Sequence, residues 1–466
     1  MTAARATLLL TALTLLGAST ASAEPNEPPA ARRVVADGQS WCPVFSPDGK
    51  SIAYLTLNDE QTVVRLGVAA EGAEPKVIAD LITPTGKKLT SRLWRSMYCF
   101  PYLRWAPDGK SVYFLLQRER RIQCGAVSVA DGKITPFGEI DKPKFYYPRQ
   151  FAFGPDGRLL VSFVHRGEGA PGWRPELAPC EGAPLAIFDP AGGKPVQRTD
   201  GPYRRFWLMP DGNAILAATP TELWRLNADC KREKMLIRFE DPEDIRRVHF
   251  AGGRIILVVR RNPNKTIGDY SLLAGGALKP IRSTSMAFDQ MIALPDGRLL
   301  WGQPPGRGDL TLQMATWEGD APKFEDIDFD ATGLAKLDKF HLSPDGRRVV
   351  AMVTPTPQQA ARGPVIMGYG IGGMHPLSMN PKLTKNLLLL DIGKAGIAVQ
   401  RLPLPGAGNL LLTEQDAVAF SPDSRAVALV RTLVNHLGYN ADATRLDLMP
   451  CEFLARGEIW KIDLLK

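Results

Sequence analysis

The sequence predicts an all-β protein built as a single β-propeller, and three observations carry that expectation. One strand–turn–strand unit recurs eight times, further apolar strands follow each unit, and a segment near the start supplies the strand that the last unit lacks.

The recurring unit is an apolar strand, a Pro-Asp-Gly turn and a second strand rich in Val, Ile, Leu and Ala. Its copies are VFSPDGKSIAYL (44–55), LRWAPDGKSVYFL (103–115), FAFGPDGRLLVSF (151–163), FWLMPDGNAILAA (206–218), VHFAGGRIILVV (248–259), IALPDGRLLWG (292–302), FHLSPDGRRVVAMV (340–353) and VAFSPDSRAVALV (418–430). Proline presets the first corner, aspartate bonds its own downstream backbone, and glycine accepts the positive φ at which a hairpin reverses. The fifth and eighth copies depart from the pattern at the turn, so the blade count is eight if the fifth is a true hairpin and seven if it is absorbed elsewhere.

Third strands follow at 62–69, 124–132, 185–193, 221–229, 311–319, 386–394 and 458–465, with fourth strands such as 195–201 and 399–406. Four strands per unit is the propeller arrangement. The chain finishes just after the third strand of the eighth unit, and RRVVAD (32–37) lies just before the first hairpin. Pairing those two segments closes the ring and hides sheet edges that otherwise invite aggregation.

The turns at Pro47-Asp48-Gly49, Pro107-Asp108-Gly109, Pro155-Asp156-Gly157, Pro210-Asp211-Gly212, Pro295-Asp296-Gly297 and Pro344-Asp345-Gly346 resemble the WD-like repeats of the TolB-type propeller family. The resemblance covers nearly the whole chain after residue 31 and implies the fold. It implies little about function, because such repeats serve binding proteins, scaffolds and the non-catalytic halves of some peptidases. The α/β domain that precedes the blades of TolB itself has no counterpart here, where a Pro-rich linker (24–31) leads into the propeller (32–466).

Arg5, the apolar stretch Leu8 to Leu16 and the small residues Ala18 to Ala23 form the pattern of a secretory signal peptide (1–23) cleaved after Ala23. A periplasmic or secreted protein, with no transmembrane segment after cleavage, is expected. The formal charge of +8 on 466 residues is a mild excess that argues against an acidic binding surface and does not by itself indicate nucleic acid. Six cysteines (Cys42, Cys99, Cys124, Cys180, Cys230, Cys451) without CxxC or zinc-type spacing are expected to act as disulfide staples, with Cys42 and Cys451 the pair to test first.

The long connections 81–100, 165–182, 354–385 and 431–457 all map to the face opposite the turns, where function usually sits on a rigid scaffold. The same register starts the innermost strands with Cys42, Tyr102, Gln150, Arg205, Arg247, Gln290, Lys339 and Ala417, and puts Arg104, His249 and His341 two residues further in. Gathered around one opening, Arg104, Arg205, Arg247 and Lys339 favour an anionic ligand or an acidic partner segment, while solvated strand ends are the plainer explanation. Trp94, Trp173 and Tyr369 are the aromatic residues of the long loops and complete the candidate binding set. His165, His375 and His436 also fall in these loops, yet no three share metal-ligand spacing. Asp326, Asp328 and Asp330 read as one face of a charged outer strand, and Gly368, Gly370, Gly372 and Gly373 as a flexible loop without nucleotide-loop flanks.

GxSxG, HExxH, an oriented Cys/His pair and matched loop carboxylates are absent from the sequence. The expectation is therefore a non-catalytic, cofactor-free, monomeric module that binds a protein partner in the cell envelope. A propeller lyase or hydrolase acting at the channel mouth and a binder of a small anionic ligand are the alternatives.

Overall fold

The computed structural model describes residues 31–58, 63–82, 102–118, 121–140, 146–153, 158–165, 185–188, 195–199, 201–240, 244–260, 268–284, 291–303, 310–355, 365–370, 373–378, 386–393, 396–402, 418–431 and 457–464. Among them are thirty-three strands and no helix. Six blades are separate four-stranded antiparallel sheets, and a seven-stranded sheet is two further blades that share the strand Ala31–Phe45. The propeller thus has eight blades.

In blades 2 to 8 the innermost strands are Tyr102–Trp105, Tyr146–Phe153, Arg205–Leu208, Asp244–Ala251, Met291–Ala293, Leu334–Leu342 and Val418–Phe420. The second half of Ala31–Phe45 serves blade 1, and it touches the inner strands of both blade 2 and blade 8. Every one of the eight hairpins read from the repeats forms the inner pair of a blade. The fifth is real: Ala251 pairs with Arg254 around Gly252 and Gly253, whose φ values of 54° and 79° suit a two-residue turn.

Closure follows the expected route. Ala31, Arg32, Arg33 and Val35 pair with Ile462, Lys461, Trp460 and Ile459 as the outer strand of blade 8. The same strand then crosses to the inner edge of blade 1, where Trp41, Val44 and Phe45 pair with Leu55, Ala53 and Ile52. The register slips between Trp41 and Val44, and Cys42 takes up the slip with φ 53°.

The turns do more than reverse the chain. At the first, Ser46 Oγ donates to Asp48 Oδ1 at 2.5 Å, Asp48 Oδ1 accepts from the Lys50 amide at 3.0 Å, and Ser46 Oγ accepts from the Ser51 amide at 2.9 Å. Serine repeats this arrangement in blade 7 (Ser343, Asp345) and blade 8 (Ser421, Asp423). Neighbouring turns also meet. Gly109 lies beside Pro47, Gly346 beside Pro295, and Gly49 beside Pro422, the last contact joining blade 1 to blade 8.

Apolar side chains fill the seams between blades. Leu300 of blade 6 packs with Val349 and Leu388 of blade 7, and Val350 and Leu389 of blade 7 pack with Leu429 and Ile462 of blade 8, all essentially inaccessible. Full burial of such a side chain contributes roughly 1.5–3 kcal/mol, so each seam is a core in its own right.

Two expectations are corrected. The glycine-rich stretch is a β-hairpin, Val365–Gly370 paired with Gly373–Ser378, set between the second and third strands of blade 7. Glycine there permits close strand pairing, Gly370 opposite Gly373, and the signal for an extra hairpin was hidden by the lack of β-branched alternation. The outer strand of blade 6 ends at Asp326, so Asp328 and Asp330 leave its face. Asp330 instead accepts from the Thr332 amide at 3.0 Å and shapes a turn. Among the described residues no helix is long and apolar enough to cross a membrane.

Candidate functional site: the basic inner wall

Directly opposed residues of an antiparallel pair project to the same face, so the pairing partners of each inner-strand residue tell which seam it borders. Arg104 opposes Tyr113, on the face of blade 2 away from Leu103 and Trp105, which pack toward blade 1. Arg205 opposes Ala218 and reaches blade 5, its Nη1 donating to the carbonyl of Arg246 at 2.9 Å. Arg247 and His249 oppose Val258 and Ile256, which share a cluster with Met291 and Trp301 of blade 6. Lys339 and His341 oppose Met352 and Val350, which share a cluster with Val418 of blade 8. The register expectation therefore places all six on the inner wall, each at the seam with the following blade.

The inner strands of blades 2, 4, 5 and 7 carry the cationic side chains Arg104, Arg205, Arg246, Arg247 and Lys339, and the same strands also include Asp244 and Asp338. Arg204, whose amide donates to Ala218 O at 2.7 Å just before the inner strand of blade 4, adds to them. Desolvation by the surrounding protein lowers the Arg104 guanidinium below its ordinary value, although the side chain is solvent-accessible. His249 and His341 are each lowered to about 3, first by desolvation and then by the adjacent charge of Arg247 or Lys339, so both are neutral at pH 7.

Arg204 and Arg246 were missed because a strict two-residue register skips alternate positions. The Arg-Arg doublets at 204–205 and 246–247 were the available signal, and the slip between Ile245 and Arg247 brings both arginines of the second doublet to the wall. Reasoning from sequence also missed a polar cluster at the start of blade 1. Asp37 accepts from Ser40 Oγ at 2.8 Å and from Thr56 Oγ1 at 2.7 Å, and burial followed by the charge of Asp37 pushes the Tyr54 phenol up.

Trp94, Trp173 and His436 lie outside the described residues, as do Gln290, Ala417, Cys99, Cys180 and Cys451, so the pairing proposed for Cys42 falls there too. Tyr369 and His375 belong to strands of the small hairpin and His165 to the strand Leu159–His165, which corrects their assignment to loops. Cys42 and Cys230 are buried. Among the described residues no group of three His, Cys, Asp or Glu side chains has metal-site geometry.

This architecture defines a class, an eight-bladed β-propeller with a basic inner wall. No protein-family model matches the chain. It is similar in fold to the C-terminal WD40 domain of Sif2, with a TM-score of 0.50, 9% identity, and coverage of 94% of this chain and 99% of that one. The Dos1 propeller aligns with a TM-score of 0.49, 10% identity, and coverage of 94% and 95%. In sequence, 100 residues are 34% identical to dipeptidyl-peptidase 5 of Porphyromonas gingivalis, covering 21% of this chain. The match spans 13% of that relative's length.

Proposed function

We propose that this chain is an exported, non-catalytic binding module of the TolB type that captures an acidic segment of a protein partner at the loop-face mouth of its channel. One observation carries the reading: five cationic residues, Arg104, Arg205, Arg246, Arg247 and Lys339, stand on inner strands of four blades. A net charge of only +8 spread over the whole chain does not require that concentration. Arginine also matches carboxylate geometry with two parallel donors, which favours acidic side chains over diffuse negative charge. The export pattern at 1–23 and the repeated Pro-Asp-Gly turns support the compartment and the TolB-type assignment.

The test is a binding titration with blocked decaglutamate and, as its control, decalysine at low and high salt. Decaglutamate binding that weakens as salt rises, absent decalysine binding, and a loss of at least about tenfold in an Arg205→Glu/Arg247→Glu variant are expected. Circular dichroism of the variant confirms that it is folded. Equal affinity for both peptides, or unchanged affinity in the folded variant, overturns the reading.

A further inference from the structure

Blade 8 is built from both ends of the chain, and its two attachments differ in kind. On its outer side the arm 31–36 lies along Ile459 to Ile462, with register slips between Arg33 and Val35 and again between Val35 and Ser40. Val35 is the arm's one buried side chain. Its ion pairs, Arg33 with Glu458 and Arg32 with Glu71, use arginines about half exposed to water, where such pairs contribute little. Lifting the arm also strands no charge. Glu458 gains water as it loses Arg33, and it keeps the bond from Trp460 Nε1 at 3.1 Å. At Asp37 the chain is pinned again, because that carboxylate accepts from the buried Ser40 hydroxyl at 2.8 Å and the buried Thr56 hydroxyl at 2.7 Å. The hinge therefore falls at Ala36.

The other attachment lies at the turn and accounts for the eighth repeat's departure from Pro-Asp-Gly. Ser424 occupies the place held by Gly49, Gly109, Gly212, Gly297 and Gly346 in other turns, with φ 61°, where a Cβ is strained. It is fully buried. Its Oγ accepts from the Asp345 amide of the seventh turn at 3.1 Å, and its carbonyl accepts from Arg348 Nη1 at 2.7 Å. Asp391, opposite Arg348 on the next strand of blade 7, orients that guanidinium at 3.4 Å, and the arginine side chain is only 13% exposed. Gly109, Gly346 and Gly49 meet only a proline ring in the neighbouring turn. We infer that blade 8 is shut by two separate devices: a releasable arm, residues 31–36, and a clasp of Ser424 and Arg348 on the seventh turn that keeps the blade seated on blade 7 when the arm lifts.

The experiment is hydrogen exchange of the full chain, read by mass spectrometry on peptides covering 31–36, 457–463 and 426–431. In the parent protein the arm and the edge amides that face it are expected to exchange at least about 100-fold faster than Val427 to Leu429, at a rate that low urea leaves unchanged, as a local opening requires. A Ser424→Ala/Arg348→Met variant removes both bonds of the clasp and keeps the arm. Its Val427 to Leu429 amides should exchange about tenfold faster or more, while the arm exchanges as in the parent. The gap between the two regions thereby narrows from one side only.

Arm and hairpin exchanging together in the parent protein would overturn the inference, since blade 8 would then open as one unit. So would a folded clasp variant whose Val427 to Leu429 rates are unchanged, or one whose arm accelerates as much as its hairpin. Circular dichroism establishes that the variant is folded. Should the double substitution fail to fold, Ser424→Ala alone, which removes a single hydrogen bond, carries the same comparison with a change of about threefold to tenfold.

Discussion

The turn residues act twice, once within a hairpin and once against the next blade. Gly346 has φ 70°, and a Cβ built on it would lie 2.3 Å from Pro295 Cγ; Gly72 has φ 74° and open space around it. Both glycines relieve backbone strain, but only the first is also caught between blades. Gly346→Ala should therefore lower stability by about 2–4 kcal/mol and Gly72→Ala by about 1 kcal/mol in urea unfolding. Equal losses would show that the turns are independent of one another.

Protonation supplies a second prediction at this scale. His249 and His341 titrate near 3 in the folded chain and near 6.5 when unfolded, so the unfolded state binds more protons in between. Stability is then complete above about pH 6.5 and falls as pH drops through that window, by on the order of a few kcal/mol for each group. Turn aspartates act lower down: the Ser46 hydroxyl holds Asp48 below the usual carboxylate value, and Ser421 does so for Asp423, so their contribution is lost only below the ordinary carboxylate range. Replacing both histidines with phenylalanine should flatten stability between about pH 6.5 and 4 while leaving the steeper acid limb. An unchanged profile between those limits would refute the assigned protonation.

Among elements, the third strands of blades 4 and 8 share one device. Glu222 accepts from Trp224 Nε1 at 2.8 Å and from Arg238 Nη2 at 2.6 Å; Glu458 accepts from Trp460 Nε1 at 3.1 Å and from Arg33 Nη1 at 3.0 Å. Each Glu-x-Trp step thereby ties a third strand to the outer strand beside it. Both arginines are more than half exposed, so the pairs differ in the carboxylate: Glu458 is the more buried of the two and holds the closing strand. Glu458→Ala is expected to cost about 2–4 kcal/mol and Glu222→Ala about half as much, read from denaturant midpoints. The reverse order would mean that closure does not depend on this carboxylate.

Over the whole molecule, stability is shared around a ring, since each blade presents one face to each neighbour and the last lends its outer position to residues 31–35. A chain that begins at Asp37 leaves Ile459, Trp460, Lys461 and Ile462 without their partners on the closing strand and should melt at lower temperature with concentration-dependent aggregation, seen by calorimetry and light scattering. Melting at the parent temperature would deny closure its role. The ring also gathers the wall: arginines from blades 2, 4 and 5 and a lysine from blade 7 are remote in sequence and converge only because the inner strands surround one axis.

Hairpins, blade order and the closing strand were legible in the sequence because they rest on local chemistry, the φ preferences of Pro and Gly and the two-residue alternation of a strand. The same alternation located Arg104, Arg205, Arg247, His249, Lys339 and His341 on inner strands. Tertiary structure alone decided which seam each residue borders, that Arg204 and Arg246 join the wall, and that Nε2 of His249 and of His341 is buried with no hydrogen-bond partner among the described residues. Those outcomes depend on a register slip and on the packing of one blade against the next, and contacts between segments far apart in the chain leave no periodic trace in it.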